Sequence, residues 1–147
     1  MLYRLVELGY LTQTQVTDLI NRLVSERFRK ATAYLDFAQR LDAEVVLNQP
    51  HIISRCYYAM YHAARAFVLH TRRADLDDHE RLPMVLSQML GTQHGEMLGK
   101  WREVRNQVDY SPYAPVDLNA LTKAALADAA ALLAACHSVL RNRGMNR

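Results

Sequence analysis

The chain has 147 residues, half of them apolar and 22% charged, so it is long enough to bury a core and too apolar for wholesale disorder. Eighteen basic side chains against fifteen acidic ones leave a formal charge of +3, which permits an anionic partner without demanding one. No apolar run approaches the roughly 20 residues of a bilayer span, and the first nine residues carry an acid and lack a small-residue cleavage site. Cys56 and Cys136 lie inside apolar helical patterns and read as buried hydrophobes of a reducing compartment, so a cytoplasmic setting is expected.

The predicted elements are all helices. Residues 2 to 8 can form a short helix that stops at Gly9. Thr12 or Thr14 can cap the next one. Its stripe runs through Val16, Leu19, Ile20, Leu23, Val24, Phe28, Ala31, Tyr34, Leu35, Ala38 and Leu41, at three- and four-residue spacing over about 25 residues or more. Asn48, Gln49 and Pro50 end the following connection. A helix from about His51 to Thr71 combines Tyr57, Tyr58, Tyr61 and Phe67 with several alanines, which let a neighbour approach closely.

Asp75 to Asp78 read as an acidic loop and cap before a helix from about His79 to Leu90, with Pro83 in its first turn. Gly91 and Gly95 are expected to bracket a loop. A helix from about Glu96 to Asp109 follows, stopped by Ser111 and Pro112. Asp117 caps a last, alanine- and leucine-rich helix to about Arg141. The expectation is an all-α, up-and-down antiparallel bundle of four to five main helices, residues 25–147, carrying an N-terminal helical arm, residues 1–24. The arm packs on its own bundle or reaches another subunit or partner protein. Charge is uneven, with a basic patch at Arg65, His70, Arg72 and Arg73, acids at Asp75, Asp77, Asp78 and Glu80, and a basic tail of Arg141, Arg143 and Arg147.

Two stretches stand apart from core-building. Arg102 to Tyr110 places two arginines, an asparagine, a carboxylate and a phenol within about two and a half helical turns. Arg102 and Asn106 are i and i+4, as are Arg105 and Asp109, so these groups can share a surface. Such a surface suits a phosphate or an RNA backbone; it equally suits a salt-bridged helix end. On the tyrosine-rich helix, Ser54, Tyr57, Tyr58, Tyr61 and Arg65 share a broad face. A tyrosine stripe at this spacing is usually core with its hydroxyls tied to polar partners. Alternatively Ser54, Arg55, Tyr58 and Tyr61 line a polar cleft beside the arginine helix, with His62 reaching in from a different edge.

Ser-Arg-Cys-Tyr-Tyr-Ala-Met-Tyr-His-Ala-Ala-Arg-Ala at 54–66, followed by Arg-Asn-Gln-Val-Asp-Tyr-Ser-Pro at 105–112, resembles the HEPN-domain family over roughly residues 25 to 141. The resemblance implies a small prokaryotic helical bundle, commonly a dimer whose motif helices meet at a cleft. It also implies a toxin–antitoxin or antiviral defence setting, often beside a nucleotidyltransferase-fold partner, and RNA as the ligand. Active members are metal-independent endoribonucleases in which four to six residues separate an Arg from a following His.

Here the windows after Arg105 and Arg102 hold Tyr110, Ser111 and Pro112, and Gln107, Val108 and Asp109, with no His. An imidazole can move protons near neutral pH, whereas unperturbed Asp and Tyr titrate near about 3.9 and about 10. The expectation therefore shifts from cutting RNA to binding it or a nucleotide. Arg102, Arg105 and Asn106 would hold phosphate. Arg105, Asp109 and Tyr110 are the candidate catalytic set should cleavage occur, with Asp109 orienting Arg105 or serving as a substitute base. The rival reading is a non-catalytic assembly subunit whose Arg–Asp network is structural. A further one is modification of Tyr110 or Tyr113 by a partner nucleotidyltransferase. The six histidines show no zinc-site spacing; His79-Glu80 and His94-x-Glu96 read as surface pairs or caps, and no metal or cofactor is expected.

Overall fold

A computed structural model describes residues 1–113, 115 and 117–142. Arg143 and Arg147 of the basic tail lie outside the described residues. Six α-helices pack on one another, and no strand occurs among the described residues, so the chain is an all-α helical bundle. They are α1 (Leu2–Glu7), α2 (Gln13–Arg40), α3 (Gln49–Arg72), α4 (Leu82–Leu90), α5 (Thr92–Tyr110) and α6 (Leu118–Asn142).

Local chemistry explains most of the boundaries. Thr12 caps α2 by accepting from the Gln15 amide, while the Gln15 side chain accepts from the Thr12 amide. A 3-10 turn at Val46–Asn48 leads into α3, whose second residue is Pro50. Asp117 accepts from the Ala120 amide at the start of α6.

Helix α3 is the central element and packs against α2, α5 and α6. Ile52, Ile53, Cys56, Met60, Ala63, Ala64 and Val68 have no solvent exposure. The alanines bring its neighbours close, and burying each large aliphatic side chain contributes about 1.5–3 kcal/mol. Burial pushes the Cys56 and Cys136 thiols up to about 12, so both stay protonated.

The first half of α2 belongs to a second cluster. Val16, Ile20 and Val24 pack with Ala66, Leu69 and Leu140, and Leu2 and Val6 of α1 rest on them. The arm therefore packs on its own bundle in this chain, and α2 runs unbroken through residue 24. The apolar stripe is narrower than periodicity draws it, because Leu19 and Leu23 are exposed.

Two boundaries differ from expectation. Gly95 is a helical residue, not a loop bracket: α5 begins at Thr92, directly after Gly91 with its φ of 127°. A Cβ on Gly95 would lie 1.7 Å from Ser87 Oγ and 2.3 Å from the Pro83 carbonyl oxygen. Close approach of α4, not a turn, requires this glycine. Helix α4 begins at Leu82, not His79, because the Asp78 carboxylate accepts from the Glu80 and Arg81 amides and holds residues 79–81 in a turn.

By length and composition α6 is apolar enough to cross a membrane, contrary to the expectation that no run approaches this. Its stripe of Ala125, Ala129, Leu132, Leu133 and Cys136 is buried in the bundle core.

Candidate functional site

The site is built where α3, α5 and the turn before α4 converge. Arg105 projects from α5 and is only 7% exposed. Its guanidinium carbon lies 4.9 Å from the Tyr57 ring centroid, 5.5 Å from that of Tyr58 and 5.6 Å from that of Tyr110. The Nη1 group donates to the Tyr110 hydroxyl at 3.3 Å, and Nε is buried without a partner. No described carboxylate forms an ion pair with Arg105. Three aromatic faces stabilise the cation, but they do not neutralise it.

The expected Arg105–Asp109 pair does not form. Asp109 instead accepts from Ser54 at 3.2 Å, tying the end of α5 to α3. Arg102 pairs with Glu80 at 3.3 Å and Glu103 at 3.4 Å, so its charge is already met. Asn106 is half-buried on the same helix. The proposed phosphate set thus separates into one carboxylate-paired arginine and one without a carboxylate.

His79 belongs to this site, where the sequence suggests a surface pair or a cap. Its Nδ1 is 2.6 Å from the Tyr57 hydroxyl, and its ring stacks on Tyr61 at 3.9 Å between centroids, 3° from parallel. Burial, and then the nearby Arg105, lower its pKa below the ordinary value, so the imidazole is neutral at pH 7. Burial raises the Tyr57 pKa, opposed by Arg105. A phenol that keeps its proton is suited to donate to Nδ1, which leaves the imidazole proton on Nε2. The only sequence signal was an acidic turn that could fold back onto a tyrosine-rich helix.

A charged network continues from there. Tyr61 donates to Asp77 at 2.6 Å, Arg65 pairs with Asp77 at 3.2 Å and with Asp75 at 2.8 Å, and Arg27 pairs with Asp75 at 2.5 Å. The acidic loop is therefore clamped onto α2 and α3. Burial first, then the bond to Asp77, push the Tyr61 pKa up.

The predicted cleft-lining residues do not share one cleft. Ser54 and Tyr58 face α5, and Tyr61 faces the acidic turn. Arg55 turns the other way, onto Tyr34 and Phe37 of α2. His62 stacks on Tyr34 at 5.5 Å, with Nδ1 unpartnered and its pKa lowered to about 4, chiefly by burial. It is not the imidazole nearest Arg105. Tyr110 and Tyr113 are 74% and 81% exposed. Among the described residues no group of three metal-ligating side chains comes together.

Comparison with known proteins gave no matching family model and no match among curated proteins.

Proposed function

We propose that the chain is a HEPN-like protein of a prokaryotic defence or toxin–antitoxin system, which binds the phosphate of RNA or a nucleotide at Arg105. The observation that carries this reading is an arginine residue only 7% exposed that forms no ion pair with a described carboxylate. Burying a lone charge costs several kcal/mol, on the order of that in an unpaired ion, and an incoming anion offsets it. Tyr110 covers the outer side of Arg105 and is itself largely exposed, so turning its phenol outward opens Nη1 to a ligand oxygen. Dimerisation, a nucleotidyltransferase-fold partner and a cytoplasmic location belong to the same reading; two buried free thiols agree with a reducing compartment.

Titration of uridine monophosphate into wild type and Arg105→Met tests it. Met keeps the apolar stem and removes the charge. Folding should be retained and affinity should fall at least about tenfold, as loss of one charge-assisted contact predicts. Equal affinity would show that Arg105 only locks the helix end, the assembly-subunit reading.

A second reading, metal-independent cleavage of RNA, is favoured by one observation. His79 supplies beside Tyr57 a neutral imidazole that the motif itself lacks. Cleavage that persists in a chelator and is lost in His79→Ala supports it; divalent-ion dependence, or no cleavage, removes it.

A further inference from the structure

A second aromatic and cationic surface lies on the far side of Tyr58 from Arg105. Lys30, Ala33, Tyr34 and Phe37 occupy one face of α2 and, with Arg55 of α3, line an open groove of about 350 Å³. The Arg55 guanidinium sits 5.5 Å from the centroids of both Tyr34 and Phe37. Phe37 is 51% exposed. Neither Lys30 nor Arg55 forms an ion pair with a described carboxylate.

We infer that Phe37, Arg55 and Lys30 form a base-stacking subsite for an unpaired nucleotide of a single-stranded polynucleotide whose neighbouring phosphate sits at Arg105. This rests on the phosphate reading of Arg105 and narrows its ligand from a mononucleotide to a strand.

The chemistry is complementary. Exposed aromatic faces accept any base, and unpaired cations beside them meet the backbone charge. His62 stacks on Tyr34, and Arg55 lies over the rings of both Tyr34 and Phe37; Phe37, the more exposed of the two, is the platform with a face left for a base and Arg55 is the cation on its other side. The two sites are close. Arg105 lies 5.5 Å from the Tyr58 centroid, and Tyr58 lies 5.8 Å from Tyr34, separations within the reach of a dinucleotide. In the opposite direction the charge is cancelled. The adjoining hollow shares Lys30 and Ala33, but its Arg29 is paired with Glu26 and its Arg27 with Asp75. Of these two hollows, the one lined by Tyr34, Phe37 and Arg55 therefore keeps both its cations out of ion pairs with described carboxylates.

Fluorescence anisotropy with a labelled short oligouridylate, beside calorimetry with uridine monophosphate, tests the subsite. Phe37 is exposed, so Phe37→Ala should fold normally. It should weaken oligouridylate binding at least about tenfold, the loss of one stacked base, and leave monophosphate binding unchanged. Lys30→Glu should act in the same direction and flatten the salt dependence. Arg105→Met should weaken both ligands; loss of neither, with Phe37→Ala still selective, removes the Arg105 reading and the link between the sites while keeping the stacking platform.

Three results overturn the inference: no oligouridylate binding by wild type, equal binding by Phe37→Ala, or a dimer that Phe37→Ala separates in sedimentation. The last would make this face an interface between two copies.

Discussion

The Tyr57 hydroxyl and His79 Nδ1 are 2.6 Å apart, although 22 residues separate them in the chain. The bond fastens the turn before α4 to the central helix and sets an imidazole next to Arg105. His79→Ala leaves a buried phenol without its partner and should cost about 1–3 kcal/mol. Adding Tyr57→Phe should restore part of that loss, because no polar group is then stranded. Chemical denaturation of the two single variants and the double variant measures the coupling; strictly additive losses would mean that the bond contributes nothing.

His62 makes the fold sensitive to acid. Burial, and then Lys30, Arg65 and Arg27, pull its pKa down to about 4, from an ordinary value of 6.5. The folded value lies below the unfolded one, so protons favour the unfolded chain. This contribution is complete above about pH 6.5 and is lost as pH falls towards about 4. In His62→Phe the stacking on Tyr34 is kept and the titration is removed. Its stability should fall less than that of wild type across this window, as thermal unfolding at stepped pH would record.

Gly95→Ala should destabilise the α4–α5 pair severely. The added methyl meets backbone at the Pro83 carbonyl as well as the Ser87 side chain, so a rotamer change cannot relieve it. A loss of about 2–4 kcal/mol is expected in denaturant unfolding, at the upper end of overpacking costs.

Trp101 is fully buried, and its Nε1 donates to Asp128 of α6 at 2.8 Å. Asp128→Ala strands that donor and should cost about 1–3 kcal/mol, whereas Asp128→Asn keeps an acceptor and should cost less. Calorimetric unfolding of the two variants separates the hydrogen bond from the space the side chain fills.

Asp75 holds two cations whose side chains are 14% and 12% exposed, Arg27 and Arg65. Asp75→Ala leaves both without this carboxylate and should cost more than the ~0–1 kcal/mol of an exposed ion pair. Hydrogen exchange should also show faster opening of the 73–81 loop; unchanged exchange would mean that the Tyr61 and His79 contacts suffice to hold it.

Periodicity, caps and breakers determined the secondary structure with little help from packing. Thr12, Pro50, Asp117 and Ser111-Pro112 act on backbone groups within four residues of themselves, so their effects are written locally. The all-α bundle followed from the same local signals. Gly95 reads as a loop residue in the sequence because a helical glycine and a loop glycine look alike until the neighbouring helix is in place. The residue types at Arg102 to Tyr110 and 54–66 were legible as a polar set, but their pairings were not. Asp109 is one helical turn from Arg105, yet it bonds Ser54, because the neighbouring helix α3 presents a hydroxyl there.

What the sequence determined by itself is therefore a helical bundle with two chemically unusual helices. The tertiary structure alone decided that Arg105 lies buried among tyrosines without a carboxylate, that His79 folds back onto Tyr57, and that Arg55 turns away to Phe37. Each depends on how three helices and a turn meet. Those contacts join positions from 5 to more than 45 residues apart, and the longer ones are set by packing α3 between α2, α5 and α6 rather than by any local preference.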